Sequence, residues 1–280
     1  MGDAKQVALV VGASRGIGRQ IAIDLAKNGY AVVVAAKTTS DASKTTPFPP
    51  NPNSQQSTIS TVAREIHEAG GDAAPVAVDV RNQDSVTGLI EQTIELMQRV
   101  NPEGLYLTLH AALPHLKRRR RGRVVVVSPP IYSRFFRGKA AYAMGKVGMS
   151  VLTKGLAMDF VRQELDEMAI TSIWPAVAIE SAATQKFQAA NSDESKDLRK
   201  PTIFSDAVLA ILNAPAQTVN GELVLDEDFL RDHAGVTDFS KYVLVPGSQP
   251  RRIMPAELPD LTVKEQDDEG KRYDSAKAKL

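Results

Sequence analysis

Tyr142 and Lys146 stand four residues apart in the stretch KAAYAMGKVGMSVLTKGL. In a helix that spacing places both side chains on one face. A phenol is a poor acid–base catalyst at neutral pH, because its reference pKa is about 10. A neighbouring ammonium favours the phenolate and brings that value down. Such a pair can hand a proton to a carbonyl oxygen or take one from an alcohol. Ser128 lies fourteen residues before the tyrosine, and a hydroxyl there could hold the substrate oxygen. A second group sits near the N-terminus, Gly12-Ala13-Ser14-Arg15-Gly16-Ile17-Gly18. Glycines at such a turn let the backbone approach a pyrophosphate, which then rests on the N-terminus of the following helix. An acid at the end of the second strand would bind a ribose 2′-hydroxyl. Here the strand ends Ala35-Ala36-Lys37-Thr38. Lys37 and Arg15 suit a 2′-phosphate instead, so NADP(H) is preferred over NAD(H).

These groups need elements to position them. Residues 6–13 read as a buried strand, and residues 14–29 as a helix with Ile17, Ile21, Ile23 and Leu25 on its apolar face. A second strand covers 30–36. Residues 38–57 hold Pro47, Pro49, Pro50 and Pro52 among Ser, Thr and Asn, and read as an exposed, mobile loop. Helix is expected at 58–69 and again along 139–164, with strands at 74–80, 123–128, 169–174 and 221–226. Asp79 closes the strand at 74–80, the third of the chain, and can accept a hydrogen bond from an adenine amino group or cap the next helix. Strands alternating with helices imply right-handed crossovers and a parallel sheet. The expectation is α/β: a single Rossmann-like, doubly wound parallel sheet over residues 1–248, followed by a polar tail at 249–280.

The chain resembles the short-chain dehydrogenase/reductase family. GASRGIG matches that family's cofactor turn, Asp79 its acid after the third strand, and Ser128, Tyr142 and Lys146 its catalytic set. Asn101 resembles the family's fourth catalytic residue, which carries a proton-relay water. AAKT, VSPP, YAMGKVGMS and WPAVAIESAA are similar to the hydroxysteroid dehydrogenase-like and citronellol/citronellal dehydrogenase branch. The resemblance covers about residues 5–248. It implies catalysis by Tyr142, Lys146, Ser128 and Asn101. It also implies cofactor contacts from Gly12, Ser14, Arg15, Gly16, Ile17, Gly18, Lys37, Asp79, Val80, Tyr142, Lys146 and Ile179. Pro175 opens the nicotinamide-side loop, with Ala176 where Gly is usual. Ile179 and Ser181 are candidates for a carboxamide and a phosphate contact. The family's serine stands thirteen residues before its tyrosine, a position held here by Pro129.

One element of the family's pattern is missing. Residues 82–100 are amphipathic, with Val86, Leu89, Ile90, Ile94, Met97 and Val100 on one helical face, and lead straight into Asn101. The family has a central strand here ending Asn-Asn-Ala-Gly, and this sequence has no Asn-Asn. Losing a central strand leaves ladder groups without partners, which is costly when they are buried. Residues 95–97 are the candidate junction of an internal deletion. Two functions stay open: an oxidoreductase interconverting a carbonyl and an alcohol, and a non-catalytic nucleotide-binding or partner protein derived from one.

Composition removes other classes. With 34 Lys and Arg against 33 Asp and Glu, the net charge is +1, which does not favour nucleic acid. No cysteine is present, so disulfides, thiolate metal ligation and a cysteine nucleophile are out. His67, His110, His115 and His233 are scattered, and no metal site is expected. No apolar run reaches membrane-spanning length, and no secretory signal is expected at the start. The basic run Lys117–Arg123 reads as cations at a helix C-terminus, favoured by the helix dipole. Phe135 and Phe136, between Ser128 and Tyr142, suit a small apolar carbonyl or alcohol. Trp174 reads as core. A homo-oligomer is possible. Ala278-Lys279-Leu280 is a variant of the Ser-Lys-Leu peroxisomal address, so peroxisome and cytoplasm both stay open.

Overall fold

The computed structural model describes residues 7–78, 104–132, 140–181, 184–185, 188–189 and 191–260. They fall into two compact units. The first draws on residues up to 82, on 175–213 and on 225–254; the second takes most of the remainder.

In the first unit, β1 (Val7–Val11), β2 (Ala31–Ala36) and β3 (Asp72–Ala77) form a parallel sheet in that order. Val7 pairs with Ala31, and Ala31 with Asp72. Parallel strands need crossovers, here α1 (Gly16–Lys27) and α2 (Ile59–Glu68). Helix α1 buries Ile21, Ala22, Ile23, Leu25 and Ala26 and ends at Asn28, where Gly29 turns the chain with φ +87°. Thr58 and Thr61 exchange side-chain and backbone bonds to cap α2. Val10, Val32 and Val34 are buried, whereas Val7, Leu9, Val11 and Val76 are exposed. By the strand period those exposed residues share one sheet face.

Two later helices belong to this unit, α5 (Thr202–Asn213) and α7 (Asp226–Ala234). Ser205 donates to the Asp24 carboxylate at 2.5 Å, tying α5 to α1. Arg199 and Glu227 form a buried pair joined by two hydrogen bonds of 3.2 and 3.1 Å. Residues 249–254, expected as part of a polar tail, are held within this unit. Arg252 bonds Asp228 at 2.7 and 2.8 Å, Ile253 N–H donates to the Ala176 carbonyl at 2.8 Å, and Met254 is buried.

The segment 38–57 is a largely exposed loop, as expected, and it is tied to its neighbours by specific contacts. Arg64 stacks on Phe48 at 3.8 Å and donates to the Ala42 carbonyl at 2.8 Å. Ser40 and Thr58 share a hydroxyl bond of 2.7 Å, and Ile59 N–H donates to the Thr38 carbonyl at 3.1 Å.

In the second unit, α3 (Gly104–Arg119) leads to β4 (Arg121–Val127), then α4 (Ala140–Arg162), β5 (Glu167–Trp174), α6 (Ala216–Val219) and β6 (Leu223–Leu225). The sheet order is β4-β5-β6, with β4 parallel to β5. β5 lies buried along nearly all its length. The core gathers Leu109, Leu113, Val126, Leu156, Phe160 and Ile170. Arg120, at φ +51°, ends α3. Its guanidinium donates to the Glu164 carbonyl, and that of Arg123 to the Glu167 and Ala214 carbonyls. Only Lys117–Arg119 close the helix as expected; Arg121, Gly122 and Arg123 belong to β4, so Gly122 is not the helix stop.

The Rossmann-like α/β class holds, and the described strands form two three-stranded parallel sheets, one in each unit. The amphipathic segment 82–100, the junction at 95–97 and Asn101 lie outside the described residues.

Candidate active site

The glycine turn joins β1 to α1. Gly12 N–H and Ala13 N–H both donate to the Ala35 carbonyl, at 2.7 and 3.2 Å, which pins the turn to the end of β2. Gly12 and Gly16 have φ +84° and +57°, a region L side chains rarely enter. Gly18 is needed for a different reason. A Cβ there would overlap the Gly12 carbonyl oxygen and meet its carbonyl carbon at 3.0 Å. Only glycine lets α1 start this close to the strand.

The donors at the start of α1 divide in two. Gly16 N–H goes to the Pro52 carbonyl at 3.1 Å, and Arg19 N–H to the Arg15 carbonyl at 3.4 Å. The N–H groups of Ile17 and Gly18 meet no acceptor among the described residues. Two such donors at a helix N-terminus fit a phosphate oxygen. Arg15 reaches Thr38 Oγ1 at 3.5 Å, and Lys37 is exposed at the end of β2. Ser14 is buried, and its carbonyl accepts from Ser57 Oγ at 2.7 Å. The residues present therefore suit a dinucleotide phosphate. Asp79 and Val80 lie outside the described residues.

Tyr142 and Lys146 are one turn apart on α4, as their spacing requires. Lys146 Nζ donates to the Val127 carbonyl at 3.0 Å and lies 5.8 Å from the centre of the Trp174 ring. Burial brings its pKa down to about 8. Burial also pushes the Tyr142 phenol up. The expected lowering of Tyr142 by its neighbour is not what this arrangement gives, because desolvation dominates. Trp174, read from the sequence as core, is a wall of the lysine's position.

Ser128 needs a larger correction. It sits past the carboxyl end of β4 and is fully buried. Its hydroxyl lies 3.0 Å from that of Ser172 on β5 and accepts from Ser150 Oγ on α4 at 2.9 Å. Ser172 Oγ also donates to the Ser128 carbonyl at 2.6 Å. Ser150 Oγ lies 2.7 Å from the Pro129 carbonyl. As placed, Ser128 tethers β4, α4 and β5, and its hydroxyl is not open to a substrate. Ser150 and Ser172 escaped the sequence reading, because buried hydroxyls on helix and strand carry no pattern of their own.

Ile179, in the first unit, is buried and bridges to Arg199 in a short parallel contact. Its carbonyl accepts from Thr184 Oγ1 at 3.3 Å, and Thr184 also receives Ser181 N–H at 2.9 Å. Phe135 and Phe136 lie outside the described residues. No cluster able to hold a metal occurs among the described residues.

The glycine turn of the first unit and the Tyr/Lys helix of the second, each beside a parallel sheet, define the class of fold. The chain belongs to the short-chain dehydrogenase family, whose profile matches residues 6–47 and 90–192. It is 34% identical over 269 residues to hydroxysteroid dehydrogenase-like protein 2 of Danio rerio, which covers 85% of this chain and 60% of that protein. A short chain dehydrogenase from Mycobacterium thermoresistibile superposes with TM-score 0.72 at 30% identity, over 91% of this chain and 96% of that one. A 3-oxoacyl (acyl-carrier-protein) reductase from Agrobacterium tumefaciens C58, solved with NADP bound, shares the fold: TM-score 0.60 at 21% identity, over 79% of this chain and 92% of that one. The chain spans between 48% and 60% of the length of the first curated relatives it matches. Among the described residues no helix is long and apolar enough to cross a membrane.

Proposed function

We propose that this protein is an NADP(H)-dependent oxidoreductase that interconverts a small apolar carbonyl and its alcohol. The observation that carries this reading is the Tyr142/Lys146 pair on α4, with Lys146 half-buried, bonded to the Val127 carbonyl and 5.8 Å from the Trp174 ring centre. Bound at the glycine turn, a nicotinamide dinucleotide supplies or accepts the hydride. The chain's own residues handle the rest. Ile17 and Gly18 offer N–H groups to phosphate, while Arg15 and Lys37 favour a 2′-phosphate over a bare hydroxyl. Tyr142 gives its phenolic proton to the carbonyl oxygen, or takes one from the alcohol. Lys146 stabilises the phenolate only while protonated, so the step weakens above its pKa of about 8. Asn101 supports the proton relay, Ile179 the carboxamide, and Asp79 with Val80 the adenine end. Ser128, with Ser150 and Ser172, holds α4 against the sheet so that the Tyr/Lys face keeps its place.

Met144, Val151 and Met158 recur every seven residues on α4 and are exposed, which suits a helix of a second copy in a homo-oligomer. Ala278-Lys279-Leu280 is similar to the Ser-Lys-Leu address, and peroxisome and cytoplasm stand equally as locations. A second reading, a non-catalytic nucleotide binder, draws on the burial of the Ser128 hydroxyl. Turnover separates the two. Tyr142→Phe should abolish NADPH consumption with aldehydes and ketones and leave the nucleotide dissociation constant within about twofold. Unchanged turnover in that variant would remove Tyr142 from the chemistry.

A further inference from the structure

The segment 38–57 lies against the glycine turn through two bonds, Gly16 N–H to the Pro52 carbonyl at 3.1 Å and Ser57 Oγ to the Ser14 carbonyl at 2.7 Å. Between those anchors Asn53 carries its Oδ1 to Gly16, where a Cβ on that glycine would lie 3.6 Å away. The Asn53 Oδ1 is buried and has no hydrogen-bond partner among the described residues. Its backbone N–H donates to Asn51 Oδ1 at 2.9 Å, which fixes the turn that presents it. A buried acceptor without a donor is costly, and native structures retain few of them. We propose that Asn53 is a cofactor-binding residue whose Oδ1 accepts a hydrogen bond from a ribose hydroxyl at the adenosine end of the dinucleotide.

The chemistry restricts the partner. An amide oxygen takes a donor, so it does not face the pyrophosphate or a 2′-phosphate, which carry acceptors only. The donors of those phosphates are the N–H groups of Ile17 and Gly18 and the cations of Arg15 and Lys37. At the adenosine end the ribose hydroxyl is a donor of matching type. The segment thereby forms a wall of the nucleotide site, and the Arg64–Phe48 stack and the Ser40–Thr58 bond hold that wall against α2.

This proposal rests on the reading that the glycine turn holds a dinucleotide, and the test separates the two. Dissociation constants for NADPH and for ADP-ribose are measured by calorimetry on the purified chain and on Asn53→Ala. Loss of one neutral hydrogen bond should weaken both ligands by about five- to tenfold. The ligand-free variant should melt no lower than the parent, because the atom removed has no partner there. In parallel, tryptic cleavage after the exposed Lys44 is followed with and without NADPH, and bound nucleotide should slow it. A parent chain that binds neither ligand defeats the nucleotide reading itself. A parent that binds both, with Asn53→Ala binding equally well, overturns the role of Asn53 alone. If the variant does not fold, unchanged cleavage after Lys44 under saturating NADPH overturns it instead.

Discussion

Two glycines inside helices should respond to the same substitution with opposite signs. Gly18 lies in the first turn of α1, where a new Cβ would overlap the Gly12 carbonyl oxygen and crowd Ala13 Cα at 3.3 Å. Both obstacles are backbone, so nothing can swing aside and the helix itself must shift. Overpacking of this kind costs about 1–3 kcal/mol. The better helix propensity of alanine returns at most about 1 kcal/mol. Gly18→Ala should therefore destabilise by about 1–2 kcal/mol, lowering Tm by roughly 2–8 °C in a chain this size. Gly155 sits in the middle of α4, and a Cβ there meets nothing within 4 Å. Gly155→Ala should gain up to about 1 kcal/mol and raise Tm by roughly 2–4 °C. Thermal melts by circular dichroism read both changes. Gly18→Ala should also lose nucleotide affinity, because moving α1 displaces the N–H groups of Ile17 and Gly18. A Gly18→Ala variant that melts with the parent and binds nucleotide equally would refute the close approach inferred at this turn.

Other consequences follow from buried charge. Burial pushes the Asp226 carboxyl up to about 7, opposed by hydrogen bonds from the Ala176 and Glu227 N–H groups and by nearby Arg199. A carboxyl raised above its unfolded value favours folding when protonated, so its contribution is full below about pH 4 and is lost as pH rises towards 7. Asp226→Asn keeps an amide oxygen for both N–H groups, so its Tm relative to the parent should climb between pH 4 and 7; parallel melting curves would contradict this. Arg199→Ala leaves Glu227 buried with the half-exposed Arg231 at 3.5 Å as its remaining ion-pair partner among the described residues, and should cost about 3–5 kcal/mol in chemical denaturation. A loss below about 1 kcal/mol would mean that water reaches the pair.

The sequence displays the parts of this protein that repeat a period or a spacing. Alternating strands and helices announce the α/β class, and the glycine spacing announces the turn. Tyr142 and Lys146 show their shared face through the helical period alone. What stays hidden depends on contacts between distant backbone groups. Proline and asparagine in 38–57 read as loop, and no local signal shows that Pro52 and Ser57 bond the glycine turn. Ser128 looks available at a strand end until Ser150 and Ser172 close around it. The raised phenol of Tyr142 is likewise invisible, because burial depends on tertiary packing. Arg251, Arg252 and Met254 look like the start of a polar tail, yet Asp197, Asp228 and the Ala176 carbonyl hold that stretch.

The account stands or falls on whether this chain holds a nicotinamide dinucleotide, and on which one. The direct measurement is the thermal melt of the purified chain alone, with NADPH and with NADH. At about 100 times the dissociation constant, bound nucleotide adds roughly 2.7 kcal/mol, a shift of several degrees. The account predicts one cooperative transition raised by NADPH, and raised far less by NADH at the same concentration. Equal shifts would contradict the role given to Arg15 and Lys37, and a melt indifferent to both nucleotides would contradict the site itself.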